Sequence, residues 1–266
     1  MIRLVISDMD GTLIDRDEIL TDKAIKIAEE LKKKNILFTI ATGRAECMAS
    51  DYVKKMKIQI PYIACNGATI MEGDTVLQRK QIPLKGLRAL MEKADSMNMS
   101  LVYTADGKES IYRETPWIRR QQKEFNRYFH IHVPTEYEWK HLMIDKLMIM
   151  DETREGAIAI LEDMCRELPD IYGFTRYTNK SVEVVSRDST KASALKSVAT
   201  LLDIPPESIL AVGDHQNDIE MLRYSGIGAV VGNATEDAKH AADYVASGRC
   251  IDGVQEIVEK FCEITV

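Results

Sequence analysis

Apolar and polar positions switch between two periods along the first third of the chain. Leu4-Val5-Ile6 is a continuous apolar run of strand length that ends, one serine later, on Asp8-Met9-Asp10-Gly11-Thr12-Leu13. Residues 22–34 then place Ile25, Ile27, Ala28 and Leu31 on a helical face, entered through Thr21. Residues 37–41 form a second buried run, closed by Thr42-Gly43-Arg44, and residues 45–56 a second helix. Residues 62–65 read as a strand leading into the turn Asn66-Gly67, and residues 69–71 and 75–77 as a hairpin around Gly73-Asp74. Strands that alternate with helices predict a parallel sheet with helices packed on it.

The last third repeats that alternation. Helices are expected at 191–202, 218–224, 236–242 and 253–262, with strands at 209–212, 228–231 and 244–245, and Pro205-Pro206 as a stop. The middle is different in texture, because from about Pro83 to Arg187 the aromatic residues concentrate. Its pattern gives helices at 84–97, 115–129 and 154–168, strands at 101–103, 110–113 and 146–150, and two more strands meeting at Asn179-Lys180. The predicted fold is a doubly wound α/β core built from residues 1–83 and 188–266, interrupted by an inserted α+β domain at 84–187. The aromatic residues of the insertion are read as that domain's own small core.

Bulk properties narrow the function. A net charge of -7 and a pI near 5.4 argue against a nucleic-acid partner, which demands a basic face. Cys47, Cys65, Cys165, Cys250 and Cys262 are scattered without metal-ligand spacing and are read as reduced thiols. No apolar run approaches the roughly 18 residues of a membrane span. The first residues enter a strand directly, so a cytoplasmic protein without a membrane partner is expected.

Four short segments carry the candidate chemistry: Asp8 to Thr12, Thr42-Gly43-Arg44, Lys191, and Gly213-Asp214-His215-Gln216-Asn217-Asp218. All lie at the ends or flanks of predicted core elements, where a doubly wound sheet brings loops to one crevice. Two carboxylates at the end of a buried strand must find a cation, donors or a proton. Asp8 and Asp214 together could hold Mg²⁺, a hard cation that needs few protein oxygens. A carboxylate nucleophile, a hydroxyl with backbone amides and an ammonium form a set that handles a phosphoryl group. Each residue also has a plainer reading. Asp8 and Asp10 could face solvent at a turn, Thr42 and Asp218 could cap helices, and Lys191 could be a surface lysine. Arg44 could pair with an acid or touch substrate, and His215 could face solvent or substrate.

Taken together these segments resemble the haloacid dehalogenase superfamily, specifically the Cof-type subfamily with a large α/β cap between its second and third motifs. The likeness covers essentially the whole chain, including Asn66-Gly67-Ala68, Gly232-Asn233-Ala234 and Asp252-Gly253-Val254. It implies a Rossmann-like core and a cap that selects substrate. It further implies a Mg²⁺-dependent phosphatase in which Asp8 is the nucleophile that becomes an aspartyl-phosphate and also touches the metal. Asp10 would be the acid/base, with its backbone carbonyl on the metal, and Asp214 the third metal anchor. The Met9 and Gly43 amides, Thr42, Lys191 and Asn217 would bind phosphate, with Asp218 and Arg44 in support. The chain departs from the family at Ala192, where a glycine usually follows the motif lysine, and in its His215-Gln216 pair.

The expected partner is a small phosphorylated metabolite, such as a sugar phosphate or phosphorylated cofactor, and the expected assembly a monomer or weak homodimer. A sugar phosphomutase and a non-catalytic phosphate-sensing protein are the competing readings.

Overall fold

The computed structural model describes residues 1–15, 17–151, 156–177 and 180–266. The expected start of a helix at Arg154 and the turn at Asn179 lie outside them. The chain divides into two compact units, one of Met1–Gln78 with Thr190–Val266 and one of Arg79–Ser189.

The first unit is built on a five-stranded parallel sheet. Its strand order is Tyr244–Val245, Ile227–Val230, Ile209–Gly213, Leu4–Ser7, Leu37–Ile40. Alternation along the central strand fixes a double-sided core: Val5 packs on one face, Leu4 and Ile6 on the other, all with no exposed surface. Apolar residues of helices Asp22–Lys33, Glu46–Lys55 and Cys250–Cys262 complete the Val5 layer. Residues of Lys191–Leu201, Ile219–Tyr224 and Glu236–Ala241 complete the other. Thr21 caps the first helix, its hydroxyl accepting the Ala24 amide at 3.4 Å. A separate three-stranded sheet, Tyr62–Ala64, Thr69–Glu72 and Thr75–Arg79, contains the expected hairpin.

The final helix starts at Cys250, three residues before the expected position. No Ser, Thr, Asp or Asn immediately precedes Cys250, so the local signal is missing. The cap arrives instead from Asn233, whose Oδ1 accepts the Cys250 amide at 2.7 Å.

The second unit carries a six-stranded mixed sheet ordered Tyr172–Tyr177, Ser181–Ser186, Lys146–Met150, Ser100–Ala105, Lys108–Ile111, His130–Ile131. Every pair is antiparallel except the last. Helices Arg88–Ser96 and Ala157–Arg166 share one core with Leu101, Tyr103, Leu147, Ile149 and Tyr172. Pro116–Phe125 sits over the opposite face with Val102, Ile111 and Phe129. Three local expectations change. The helix expected at 84–97 opens as a 3-10 turn, Leu84–Leu87, before the α-helix. The one expected to reach 129 stops at Phe125, because Asn126 turns left-handed at φ 50°. A helix at Glu136–His141 was not expected, although Thr135 and Glu138 spell out its capping box.

Candidate active site

The sheet order reverses beside its central strand, and the first acid sits at that reversal. Chain running out of Leu4–Ser7 crosses to Leu37–Ile40 on one side, whereas Ile209–Gly213 returns to the other. Open α/β sheets bind ligands at such a switch point, outside the carboxyl ends of the strands. Asp8 and Asp214 follow these two neighbouring strands, and the Asp8 amide donates to the Val212 carbonyl at 2.8 Å. Gly11 has φ 85°, and a Cβ there would lie 2.5 Å from Asp214 Oδ2. Glycine is therefore what lets the Asp214 carboxylate lie against the turn. Thr12 Oγ1 donates to Asp214 Oδ1 at 3.1 Å, and Asn233 Nδ2 ties the turn down through the Gly11 carbonyl at 2.8 Å.

Lys191 is the first residue of its helix and is only 1% exposed. Thr190 and Ser193 form a reciprocal capping box that fixes where the helix begins. Gly67, at φ 96°, lets the neighbouring loop approach that cap, since a Cβ there would sit 2.2 Å from the Thr190 carbonyl oxygen. Lys191 Nζ donates to Asp8 Oδ1 at 2.5 Å and to Asp218 Oδ1 at 2.7 Å. Asp218 Oδ2 accepts the Asp214 and His215 amides, both at 3.0 Å. Asp218 thus ties the loop backwards as the acidic partner of a capping box with His215 on the 3-10 turn Gln216–Asp218. That turn runs into helix Ile219–Tyr224, so the capping role expected of Asp218 is met one turn earlier than the α-helix itself. Ala192 is buried in the Leu4 layer.

One oxygen from each of Asp8, Asp214 and Asp218 lies within 4.8 Å of the others. One ammonium stands against these three carboxylates, and the titration behaviour follows. Burial pushes the Asp8 carboxyl well above its ordinary value, Lys191 pulls it down, and the Asp218, Asp214 and Asp10 charges push it up again. Burial, then the Asp218 charge, raises Asp214 to about 6. Burial lowers the Lys191 pKa, but the Asp218 and Asp8 carboxylates outweigh it and raise it above the ordinary lysine value, so the ammonium stays charged. His215 is partly buried and its imidazole is lowered by that burial, so it is not a freely solvated loop histidine. Asp218 is already committed to Lys191 and two amides, which leaves Asp8 and Asp214 for a cation. Their excess negative charge and hard oxygens fit Mg²⁺.

Thr42, Gly43 and Asn217 belong to one arrangement. Thr42 is fully buried, and its Oγ1 accepts the Arg44 amide at 3.1 Å. It does not cap the next helix, which begins after Ala45 with no side-chain cap. Asn66, missed as a site residue, links these loops. Its amide donates to the Thr42 carbonyl at 3.0 Å, its Oδ1 accepts Asn217 Nδ2 at 2.9 Å, and its side chain lies beside Gly43. The Asn-Gly turn and a left-handed φ of 53° mark the position. The Met9 side chain is fully buried in the Val5 layer.

Asp10 and Arg44 form a second group. Arg44 Nη2 and Nε donate to Asp10 Oδ1 at 2.6 and 3.1 Å, and Nε also reaches Oδ2 at 3.0 Å. Asp10 is outside the three-carboxylate cluster. It borders a cavity of about 310 Å³ shared with Asp214, Glu18 and Arg249.

The sequence model of the haloacid dehalogenase-like hydrolases matches residues 5–258. The chain belongs to that family. Among its relatives is 5-amino-6-(5-phospho-D-ribitylamino)uracil phosphatase YcsE of Bacillus subtilis, 25% identical over 97% of this chain and 94% of that protein. Phosphoglycolate phosphatase of Methanopyrus kandleri is 26% identical over 99% of this chain and 98% of its own length. The solved structure of the subclass IIB sugar phosphatase BT4131 superposes with a TM-score of 0.83, covering 98% of this chain and 100% of that one at 23% identity. The expected fold class and Cof-type affiliation are thus met, and these relatives of the haloacid dehalogenase-like hydrolase are phosphatases of small phosphorylated substrates. Among the described residues no helix is long and apolar enough to cross a membrane.

Proposed function

We propose that the protein is a Mg²⁺-dependent phosphatase of small phosphomonoesters that works through an aspartyl-phosphate on Asp8. The observation that carries this reading is the buried Lys191 ammonium shared between Asp8 and Asp218 at the switch point, with Asp214 alongside. The Lys191 ammonium pulls the Asp8 carboxyl down against its burial and so favours the ionised, nucleophilic form. Asp8 attacks phosphorus as the bond to the leaving oxygen breaks, and Asp10 gives that oxygen its proton. Asp10 then takes a proton from the water that attacks the aspartyl-phosphate, which releases phosphate and restores Asp8. Thr42, with the Gly43 and Met9 amides, Lys191 and Asn217, is assigned to the phosphoryl oxygens. Asp8, Asp214 and the Asp10 carbonyl would hold Mg²⁺, which when bound offsets phosphoryl charge. The inserted domain is assigned the choice among sugar phosphates and phosphorylated cofactors.

Purified protein with Mg²⁺ is expected to release phosphate from p-nitrophenyl phosphate, and Asp8→Asn to lose at least about a thousandfold of that rate, as removal of a covalent nucleophile does. An Asp8→Asn variant as active as wild type would refute the nucleophile assignment. Phosphate transferred to a second sugar hydroxyl in preference to water would make the protein a mutase.

A further inference from the structure

Arg44 is buried, with its side chain 6% exposed, yet it touches none of the three clustered carboxylates. Its donors are spread over a built pocket. Nε and Nη2 grip the Asp10 carboxylate, Nη2 also reaches Glu18 Oε2 at 3.1 Å, and Nη1 donates to the Tyr52 hydroxyl at 3.2 Å. The Tyr52 ring lies against the guanidinium at 5.2 Å, and its hydroxyl donates to the Glu18 carbonyl at 2.8 Å. Burial works against this charge, and the hydrogen bond and charge of Asp10, with Glu18, more than restore it. Asp10 by contrast is half exposed on its side chain, and Arg44 anchors it.

We infer that Arg44 is a positioning residue that sets the direction of the Asp10 carboxylate, and that Tyr52 and Glu18 hold Arg44 for that purpose. This rests on the acid/base role proposed for Asp10. A planar guanidinium meeting a carboxylate through two nitrogens fixes its plane as well as its distance, which an ammonium cannot do. Stacking on Tyr52 fixes the guanidinium in turn. Glu18 gives the buried cation a second carboxylate, so its charge stays paired while Asp10 engages another group. A surface-type ion pair would need neither the burial nor the second acid.

The test compares two aryl phosphates that differ in their need for an acid. Nitrophenolate leaves without help, whereas the phenolate of phenyl phosphate is a poorer leaving group and gains from protonation. Positioned general acids are worth about 10²–10⁴ in rate, so Arg44→Gln is expected to lose about tenfold more kcat on phenyl phosphate than on p-nitrophenyl phosphate. Arg44→Lys should fall between, and Tyr52→Phe should show the same discrimination at smaller size. In an Asp10→Asn background, Arg44→Gln should add no further discrimination. Equal losses on both substrates, or discrimination that persists without Asp10, would overturn the inference and leave Arg44 a structural residue. If Asp10→Asn itself fails to discriminate, the acid/base assignment falls and the positioning role with it. Should Arg44→Gln not fold, the Arg44→Lys and Tyr52→Phe ratios decide the question, since both keep the buried charge balance.

Discussion

Lys191→Met removes a cation from a place where no solvent can replace it. The Lys191 side chain is 0% exposed, Asp218 likewise, and Asp8 only 7%. Methionine nearly matches the stem in volume, so the perturbation is chiefly the loss of charge and of two hydrogen bonds. Leaving one side of a buried ion pair unpartnered costs about 3–5 kcal/mol. Each kcal/mol moves the midpoint of a unit this size by about 2–4 °C, so a drop of about 6–20 °C is expected. The pH dependence has a definite sign. Lys191 pulls the Asp8 carboxyl down, and without it burial pushes that carboxyl further above its unfolded value. A carboxyl raised in the native state is penalised above its folded pKa and relieved as falling pH protonates it. The lysine's own contribution, from a raised pKa, is fully present below its unfolded value of 10.5. Thermal unfolding of both proteins at pH 8 and pH 5, in chelator, therefore should show a large gap at pH 8 that narrows at pH 5. Equal midpoints at pH 8, or a gap that widens toward pH 5, would refute the electrostatic account of this cluster.

Mg²⁺ should raise the midpoint at pH 7.5 by linkage, about 2.7 kcal/mol at a hundredfold excess over its dissociation constant. The shift should shrink below about pH 6, where Asp214 holds its proton and competes with the metal; an unchanged midpoint at both pH values counts against the cation site. Gly67→Ala forces a left-handed residue against the Thr190 carbonyl and should destabilise by about 1–3 kcal/mol while lowering activity through the Lys191 helix. Gly73→Ala, at φ 57° with no atom within 4 Å, should cost about 1 kcal/mol and leave turnover unchanged. Chemical denaturation and phosphate-release assays separate these two, and equal effects would remove the argument from close approach. Gly11→Ala should weaken Mg²⁺ stabilisation, because its methyl would occupy the space of the Asp214 carboxylate.

What the sequence disclosed follows the range of each interaction. The strands around Val5 and Leu210 are continuous apolar runs, and their burial on both faces is written into their own residues. Lys191 carries no local mark of burial; its partners Asp8 and Asp218 lie 183 and 27 positions away. Only the order of motifs singled it out. Asn66 was legible as a turn but not as a bridge, since its contacts to Thr42 and Asn217 join loops from three separate crossovers. Arg44 was read as pairing with an acid or touching substrate, and the structure supplies the partner, Asp10. The helix at Cys250 began early for the same reason, a cap borrowed from Asn233. Glu136–His141 is the opposite case: its capping box was in plain view, and the six-residue helix was too short to show a period.

The order of the central sheet has a consequence for how the chain comes into being. Leu4–Ser7 lies close in sequence to Leu37–Ile40 and can pair early with it, but its other neighbour, Ile209–Gly213, follows the whole of Arg79–Ser189. Until then the strand carrying Asp8 has one bare edge, the kind of edge that invites association with other chains. The contacts that complete the core are among the most non-local in the molecule, so its closure is slow relative to local folding. A ribosome-bound chain would hold Asp8 and Lys191 before it held Asp214. The three-carboxylate cluster thus assembles only after the Arg79–Ser189 unit has been made, and a chain cut short of Asp214 lacks it.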